Sequence, residues 1–308
     1  KILITGGTGL IGKNLSNYYE NKNESILSIG SRYDLRNKTI TDQLFADFKP
    51  DVVIHLAARV GGIHANNTNK ADFYSDNVLI NTNIVNASSE NNVEYFFGMG
   101  TGCAYPKILE GRMLNEADFL DGIPEVTNDA YAYAKRGLLV HLKAINEKSK
   151  IKYAYCIPAN IYGPHDNFHA VNSHVVPGLI RRFVECVQKK QNVIDIWGNG
   201  EAKRDFLYID DLISAIVLLV NNKFEGSINI ATGIQTSIRH LAETIAELTG
   251  FKGQLNYDTN QPAGQKEREF NIDKETKLNW KPKVGLKSGL SKTINWFKDK
   301  NNLIKYNS

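Results

Sequence analysis

The sequence predicts an α/β fold built on a doubly wound parallel sheet, with a smaller, discontinuous α+β lobe beside it. Three observations predict it. Short apolar, β-branched runs alternate with longer amphipathic segments through the first half of the chain. The first of these runs leads straight into a glycine-rich turn. The composition, 42% hydrophobic and 23% charged over 308 residues, is that of an ordinary globular protein large enough for one big core or two modest ones.

Lys1–Thr5 reads as a buried strand and Gly12–Glu20 as the helix after it. Ser25–Ile29 and Asp51–Leu56 give the second and third strands, and Tyr95–Met99 and Tyr153–Ile157 the later ones. Helical segments lie near Asn77–Ser89 and Tyr131–Glu147. Strands that are apolar throughout belong in a sheet covered on both faces. After Tyr162 the character changes: Gly163–Ser173 is a loop, Pro177–Lys189 a helix and Val193–Trp197 a strand. Leu207–Val220 and Ser227–Ala231 repeat the opening helix-and-strand pattern and return the chain to the first domain. Residues 1–162 with about 207–232 form that domain, and about 163–206 with 233–308 form the second lobe, with a ligand cleft between them.

A formal net charge of +4 is too small to argue for nucleic acid, although it suits an anionic small molecule at a local basic site. Cys103, Cys156 and Cys186 are odd in number, widely spaced and without a CxxC pair. That argues against a disulfide scaffold or a structural zinc site and points to a reducing compartment. No apolar run reaches the roughly 18–20 residues of a membrane span, and no signal-peptide pattern precedes the first strand. A soluble, cytoplasmic protein without a membrane partner is expected.

In Thr5-Gly6-Gly7-Thr8-Gly9-Leu10-Ile11-Gly12, strand gives way to glycines and then to helix. Gly6, Gly9 and Gly12 allow a tight turn and close backbone approach to a pyrophosphate, which Leu10 and Ile11 meet with helix N-terminal N–H groups. This makes the first domain a Rossmann-type doubly wound parallel sheet and the second region a substrate-binding lobe. Leu56, Ala57 and Ala58, after the third strand, and Asn160 are further candidate cofactor contacts. The second strand ends in Gly30-Ser31-Arg32-Tyr33-Asp34. NAD calls for an acid there, whereas Ser31 and Arg32 suit a 2′-phosphate, so NADP(H) is the expected cofactor. Arg36 is a second candidate for that phosphate.

Tyr131 and Lys135 stand one helical turn apart in Tyr131-Ala132-Tyr133-Ala134-Lys135. An ammonium beside a phenol stabilises its phenolate and brings an ordinary pKa of about 10 toward neutrality. Tyr131 can then protonate the alkoxide left when hydride reaches a ketone. Thr101, just after the Tyr95–Met99 strand, supplies a hydroxyl for the carbonyl oxygen. Tyr133 has Gly137 at the Lys spacing and is not the catalytic tyrosine. A YxxxK pair downstream of a glycine-rich βα unit resembles the short-chain dehydrogenases/reductases, in their extended form.

Longer stretches narrow the resemblance: Val60–Asn67, Asn160–Phe168, Asn172–Val175, Leu179–Phe183 and Trp197–Gly200. Over nearly the whole chain the sequence resembles the GDP-L-fucose synthase family, whose members epimerise C3 and C5 of GDP-4-keto-6-deoxymannose and reduce C4 with NADPH. The resemblance implies a GDP-linked keto sugar as substrate and a homodimer formed through the helices around Asn77 and Tyr131. It also implies Cys103 and His174 as the acid/base pair of epimerisation. A C4 ketone acidifies the C3 and C5 hydrogens, and inversion needs groups on opposite faces. Arg182, Arg204, Arg268 and His174 are then candidate contacts to the sugar nucleotide, with Asn160 beside them and Trp197 placed to stack on the base. Cys156 and Cys186 read as packing residues.

The chain departs from this family at two places. Paired serines before the cysteine are replaced by Thr101 and Gly102, and Gly264–Glu269 is less basic than the family's run. Reduction of a GDP-4-keto-6-deoxy hexose or heptose for surface-polysaccharide synthesis is the reading that survives both changes; the bifunctional epimerase/reductase stands as its alternative. Two readings of other classes remain. One is a non-catalytic dinucleotide-binding sensor. The other is a metal hydrolase drawing on His165, Asp166, His169 and His174, although no HExxH pattern supports it.

Overall fold

Six of the apolar runs pair into one parallel sheet in the computed structural model, which describes residues 1–107, 111–260 and 267–299. The first part of the chain runs β1 (Ile2–Thr5), α1 (Leu10–Glu20), β2 (Ile26–Ile29), α2 (Lys38–Phe48) and β3 (Val52–His55). It continues through α3 (Ile63–Thr68), α4 (Lys70–Glu90), β4 (Tyr95–Met99), α5 (Asp129–Ser149) and β5 (Lys152–Pro158). Then come β6 (Asn160–Tyr162), α6 (Val175–Gln188), β7 (Val193–Trp197), β8 (Lys203–Arg204) and β9 (Phe206–Tyr208). Next are α7 (Ile209–Asn221), β10 (Gly226–Ile230), β11 (Thr236–Ser237), α8 (Ile238–Thr249) and β12 (Gln254–Asp258). The described part ends with α9 (Asp273–Lys277) and α10 (Leu286–Lys298).

The sheet order is β2-β1-β3-β4-β5-β10, every pair parallel. The order reverses between β1 and β3, and a ligand crevice opens at the carboxyl ends of strands at such a switch point. Leu3, Ile4, Val53, Ile54, Phe97 and Ile157 are fully covered, because helices close both faces. On one face α4 packs along α5, and on the other α1 packs on α7. α2 opens with Asn37 accepting the Ile40 N–H and ends at Lys49 in the left-handed conformation, just before Pro50.

Several expected boundaries moved: α1 begins at Leu10 rather than Gly12, and α6 at Val175 rather than Pro177. Leu207 belongs to β9, pairing in parallel with Ile161 of β6, and helix begins only at Ile209. α4 begins at Lys70 rather than Asn77; Lys70 binds Asp129 at 2.9 Å, tying the start of α4 to the start of α5. Beyond the main sheet, β7 pairs with β12, β8 pairs with β11, and α6 packs against α8. These contacts join the segment after Tyr162 to the one after Gly233. Among the described residues, no helix is long and apolar enough to cross a membrane.

Candidate active site

β1 ends at Thr5, and the chain turns through Gly6 at φ +72°, a conformation L side chains rarely adopt. A Cβ on Gly12 would lie 2.2 Å from the Gly6 carbonyl oxygen, so α1 can start this close to the turn only with glycine. Gly9 differs. The nearest atom to a Cβ there is the Gly6 oxygen at 3.4 Å, an ordinary contact, so packing does not explain the missing side chain. The first helical acceptor is the Gly9 carbonyl, taken by the Lys13 N–H at 2.9 Å. Helix geometry therefore leaves the N–H groups of Leu10, Ile11 and Gly12 without intrahelical acceptors, and no acidic residue stands in the first turn. Open space over Gly9 and unspent donors beside it fit a dinucleotide pyrophosphate. Leu56 and Ala57 close over Gly6, donating their N–H groups to Thr5 Oγ at 3.2 and 3.1 Å, and Ala58 follows, half-buried.

At the end of β2 the two candidate cations differ in availability. Arg36 binds Asp34 at 2.8 Å and Asp76 at 3.1 Å, and its hydrogen bond holds the Asp34 carboxyl below the usual carboxylate range. Arg32 is exposed, lies over the Tyr33 ring at 5.3 Å, and has no carboxylate partner among the described residues. Arg32 is the guanidinium left open to a phosphate.

Tyr131 and Lys135 occupy the first turns of α5. Lys135 is 2% exposed, and its ammonium donates to the Met99 carbonyl at 2.8 Å, at the end of β4. The same ammonium lies 5.9 Å from the Tyr131 ring centroid. Burial lowers the Lys135 pKa to about 8. The Tyr131 phenol moves opposite to the expectation: desolvation, followed by the nearby Cys103, pushes its pKa above the ordinary value. Burial dominates here and leaves Tyr131 protonated, the form needed to give a proton to an alkoxide. Thr101 caps the short 3₁₀ turn Gly102–Ala104, its Oγ accepting the Cys103 N–H at 3.3 Å while its own hydrogen stays available.

Cys103 is half-buried, close enough to Tyr131 and to Arg204 to act on both electrostatically. Burial, then the charge of neighbouring Arg268, lowers the Arg204 pKa to about 10. Arg268 donates to the Gly102 carbonyl at 3.2 Å. Two neighbouring guanidiniums beside the thiol favour an anion there. The same loop explains Gly102: a Cβ there would fall 2.6 Å from Phe270 Cζ, so the ring fills the space of a side chain.

The structure does not join every candidate to this group. His174 forms the N-cap of α6 and is exposed, although the atoms packed around its ring lower its pKa by desolvation. Among the described residues no hydrogen bond links it to Cys103 or Tyr131. Arg182 donates to the Asp195 carbonyl at 2.6 Å, and Trp197, half exposed, ends the same strand. Asn160 opens β6 directly beyond β5. His165 rests edge-on to Trp296 at 4.9 Å, and His169 Nδ1 accepts the N–H groups of Val171 and Asn172. Among the described residues no three His, Cys, Asp or Glu side chains gather as metal ligands. Of the run Gly264–Glu269, residues 264–266 lie outside the described residues.

Sequence reasoning passed over Phe270 and three buried polar residues behind the site: Thr5, His55 and Asn81. The available signal was a polar residue in an otherwise apolar strand, as in Asp51-Val52-Val53-Ile54-His55-Leu56.

The NAD dependent epimerase/dehydratase family profile matches residues 2–231. A putative GDP-L-fucose synthase 2 of Arabidopsis thaliana is 37% identical over 301 residues, covering 96% of this chain and 91% of that protein. The crystal structure of a GDP-L-fucose synthetase from Naegleria fowleri bound to NADP superposes with a TM-score of 0.86 at 30% identity, covering 100% of this chain and 95% of the other. A GDP-mannoheptose C4 reductase from Campylobacter jejuni with NADP bound also gives a TM-score of 0.86, at 26% identity, covering 96% and 98%.

Proposed function

The chain belongs to the NAD dependent epimerase/dehydratase family and, within it, to the GDP-L-fucose synthase family, and from that premise we propose that it reduces the C4 ketone of a GDP-linked 4-keto-6-deoxy sugar with NADPH. The observation that carries the reading is the buried Lys135 ammonium beneath the Tyr131 ring, bonded to Met99 at the carboxyl end of β4, two residues before Thr101. A dinucleotide-binding sensor has no use for a buried cation held against a phenol. Relatives that carry NADP and reduce or synthesise GDP-sugars support the cofactor and substrate class.

When bound, NADPH supplies the hydride. Gly9 and the N–H groups of Leu10, Ile11 and Gly12 hold its pyrophosphate, Arg32 takes the 2′-phosphate, and Leu56–Ala58 line the cofactor. The Thr101 and Tyr131 hydroxyls bind the substrate's C4 oxygen. As charge develops on that oxygen, Tyr131 gives up its proton and the Lys135 ammonium stabilises the phenolate that remains. Residues 1–162 and about 207–232 carry the cofactor, while 163–206 and 233–308 carry the sugar nucleotide; of these, 261–266 and 300–308 lie outside the described residues. Arg204 and Arg268 face its diphosphate, with Arg182, His174 and Asn160 around the sugar nucleotide and Trp197 on the base. A homodimer goes with this reading, supported by exposed Tyr74, Leu79, Tyr133 and Val140 on the paired helices α4 and α5.

A second reading adds C3/C5 epimerisation. What favours it is the half-buried Cys103 thiol, electrostatically coupled to Tyr131 and Arg204. Incubation with GDP-4-keto-6-deoxymannose and NADPH in D2O tests both. Loss of NADPH absorbance with a C4-reduced product supports the reductase, and no reduction of any GDP-keto sugar removes it. Deuterium at C3 or C5 supports the epimerase, and its absence from both leaves the reductase alone.

A further inference from the structure

Thr5, His55 and Asn81 are 0%, 0% and 3% exposed and form a continuous chain of hydrogen bonds beneath the site. Thr5 Oγ accepts the N–H groups of Leu56 and Ala57 and lies 2.8 Å from His55 Nδ1. His55 Nε2 lies 3.0 Å from Asn81 Oδ1, and Asn81 Nδ2 donates to the Ala134 carbonyl of α5 at 3.1 Å. The directions are determined by the chemistry of the groups. A carboxamide oxygen only accepts, so His55 Nε2 carries the hydrogen, and Nδ1 accepts from the Thr5 hydroxyl. Turning the amide over would set Asn81 Oδ1 against the Ala134 oxygen, two acceptors face to face.

The chain ends at a telling position. Ala134 and Lys135 are consecutive in the turn below Tyr131, and the Lys135 carbonyl is also held from outside, by Tyr155 Oη at 2.7 Å. With Lys135 Nζ on Met99, this turn has three directional anchors in addition to its apolar packing. Apolar contacts tolerate a small roll of a helix about its axis, whereas directional bonds do not. The other end of the chain holds Leu56 and Ala57, the backbone that closes over Gly6.

We propose that Thr5, His55 and Asn81 are positioning residues: through a single imidazole tautomer, Nε2–H, they lock the Tyr131–Lys135 turn of α5 to the backbone around the glycine-rich loop, and so fix the proton donor relative to the bound cofactor. The proposal rests on the reading of Tyr131 and Lys135 as catalytic. Burial, and then the Lys135 charge, lowers the His55 pKa to about 3, which keeps the ring neutral and the tautomer intact at working pH. Lys135, on α5, is the charged group acting on it. Thr5 on β1, Phe96 on β4 (ring centroids 5.9 Å apart) and Asn81 on α4 surround the ring without titrating near neutral pH.

The test joins a spectroscopic readout to steady-state kinetics. In long-range 1H–15N spectra of the wild-type protein, one histidine should keep the Nε2–H pattern from pH 5 to 8, and its signal should vanish in His55→Gln. A His55 ring that carries its hydrogen on Nδ1, or titrates near 6.5, overturns the proposal. Asn81→Leu, similar in volume, should lower kcat by about ten- to a hundredfold, the scale of a small misplacement of reacting groups. KM for NADPH and for the sugar should stay within about twofold. Thr5→Val should also lower kcat, and Thr5→Ser, which restores the hydroxyl, should return it to within about threefold of wild type. Unchanged kcat in folded Asn81→Leu overturns the proposal, as does Thr5→Ser behaving like Thr5→Val. Should Asn81→Leu fail to fold, the threonine pair and the wild-type spectrum decide. If the wild-type protein reduces no GDP-keto sugar, the catalytic reading falls, while the tautomer result still speaks to the bond chain alone.

Discussion

Gly9 and Gly12 look alike in the sequence, but alanine should affect them in opposite ways. On Gly12 the added Cβ would lie 2.2 Å from the Gly6 oxygen, 2.6 Å from the Gly7 Cα and 2.8 Å from the Gly6 carbonyl carbon. All three are backbone atoms of the turn, so none can rotate away. The cost should stand near the top of the overpacking range, about 3 kcal/mol. With an unfolding entropy of about 2 cal/mol/K per residue, that lowers Tm by about 5 °C in a chain of this size. On Gly9 the Cβ meets only the Gly6 oxygen, at 3.4 Å, and a φ of −80° suits alanine, so Tm should change by less than about 1 °C. The new methyl would instead occupy the space assigned to the pyrophosphate. Weakening charge-assisted bonds to the helix N-terminus by about 2 kcal/mol raises the NADPH Kd about thirtyfold. Calorimetric titration with NADPH and thermal melts of both variants give the comparison. Wild-type NADPH affinity in a folded Gly9→Ala protein would refute the assignment of this loop to the pyrophosphate.

Arg32→Ala should weaken NADPH binding by about ten- to a hundredfold, the worth of one charged phosphate contact, and leave NADH binding unchanged. Equal losses for both cofactors would show that Arg32 does not read the 2′-phosphate. Gly102→Ser should cost about 1–3 kcal/mol, because its Cβ would overlap the Phe270 ring, and Phe270→Leu in the same chain should recover most of it. A fully stable single variant would contradict this packing. His55 titrates at 6.5 when free and at about 3 in the fold, so between those values the unfolded chain binds the extra proton. Stability should therefore fall as pH drops through this window, by up to about 1.4 kcal/mol per unit, and urea melts of His55→Gln should show a shallower fall.

The architecture was legible in the sequence wherever a local rule suffices. Ile2–Thr5, Tyr95–Met99 and Val193–Trp197 are strands because β-branched and aromatic runs of that length have few alternatives. Tyr131 and Lys135 fall on one helix face because their spacing requires it. α2, α8 and α10 were not singled out in the sequence. The N-terminal part of α4 was hidden because Lys70–Asp76 is mostly polar and has no clear apolar stripe. Leu207 was assigned to a helix because its apolar neighbours run unbroken into one; only its partner Ile161, distant in sequence, makes it a strand. The same limit governs the site. The bonds from Thr5 to His55, from His55 to Asn81 and from Asn81 to Ala134 cross from one element to another and leave no spacing rule behind. Likewise Gly102 reads as a missing hydroxyl until Phe270 is found occupying the space.

In the proposed reaction Tyr131 and Lys135 serve hydride reduction at C4 of a GDP-linked keto sugar. Its most direct test is the reaction of GDP-4-keto-6-deoxymannose with NADPH deuterated at the transferred position, in wild type and in Tyr131→Phe. The expected result is deuterium at C4 of the product sugar, with kcat lowered by about a hundredfold or more in the variant. A product carrying no deuterium at C4, or undiminished turnover by Tyr131→Phe, would contradict it.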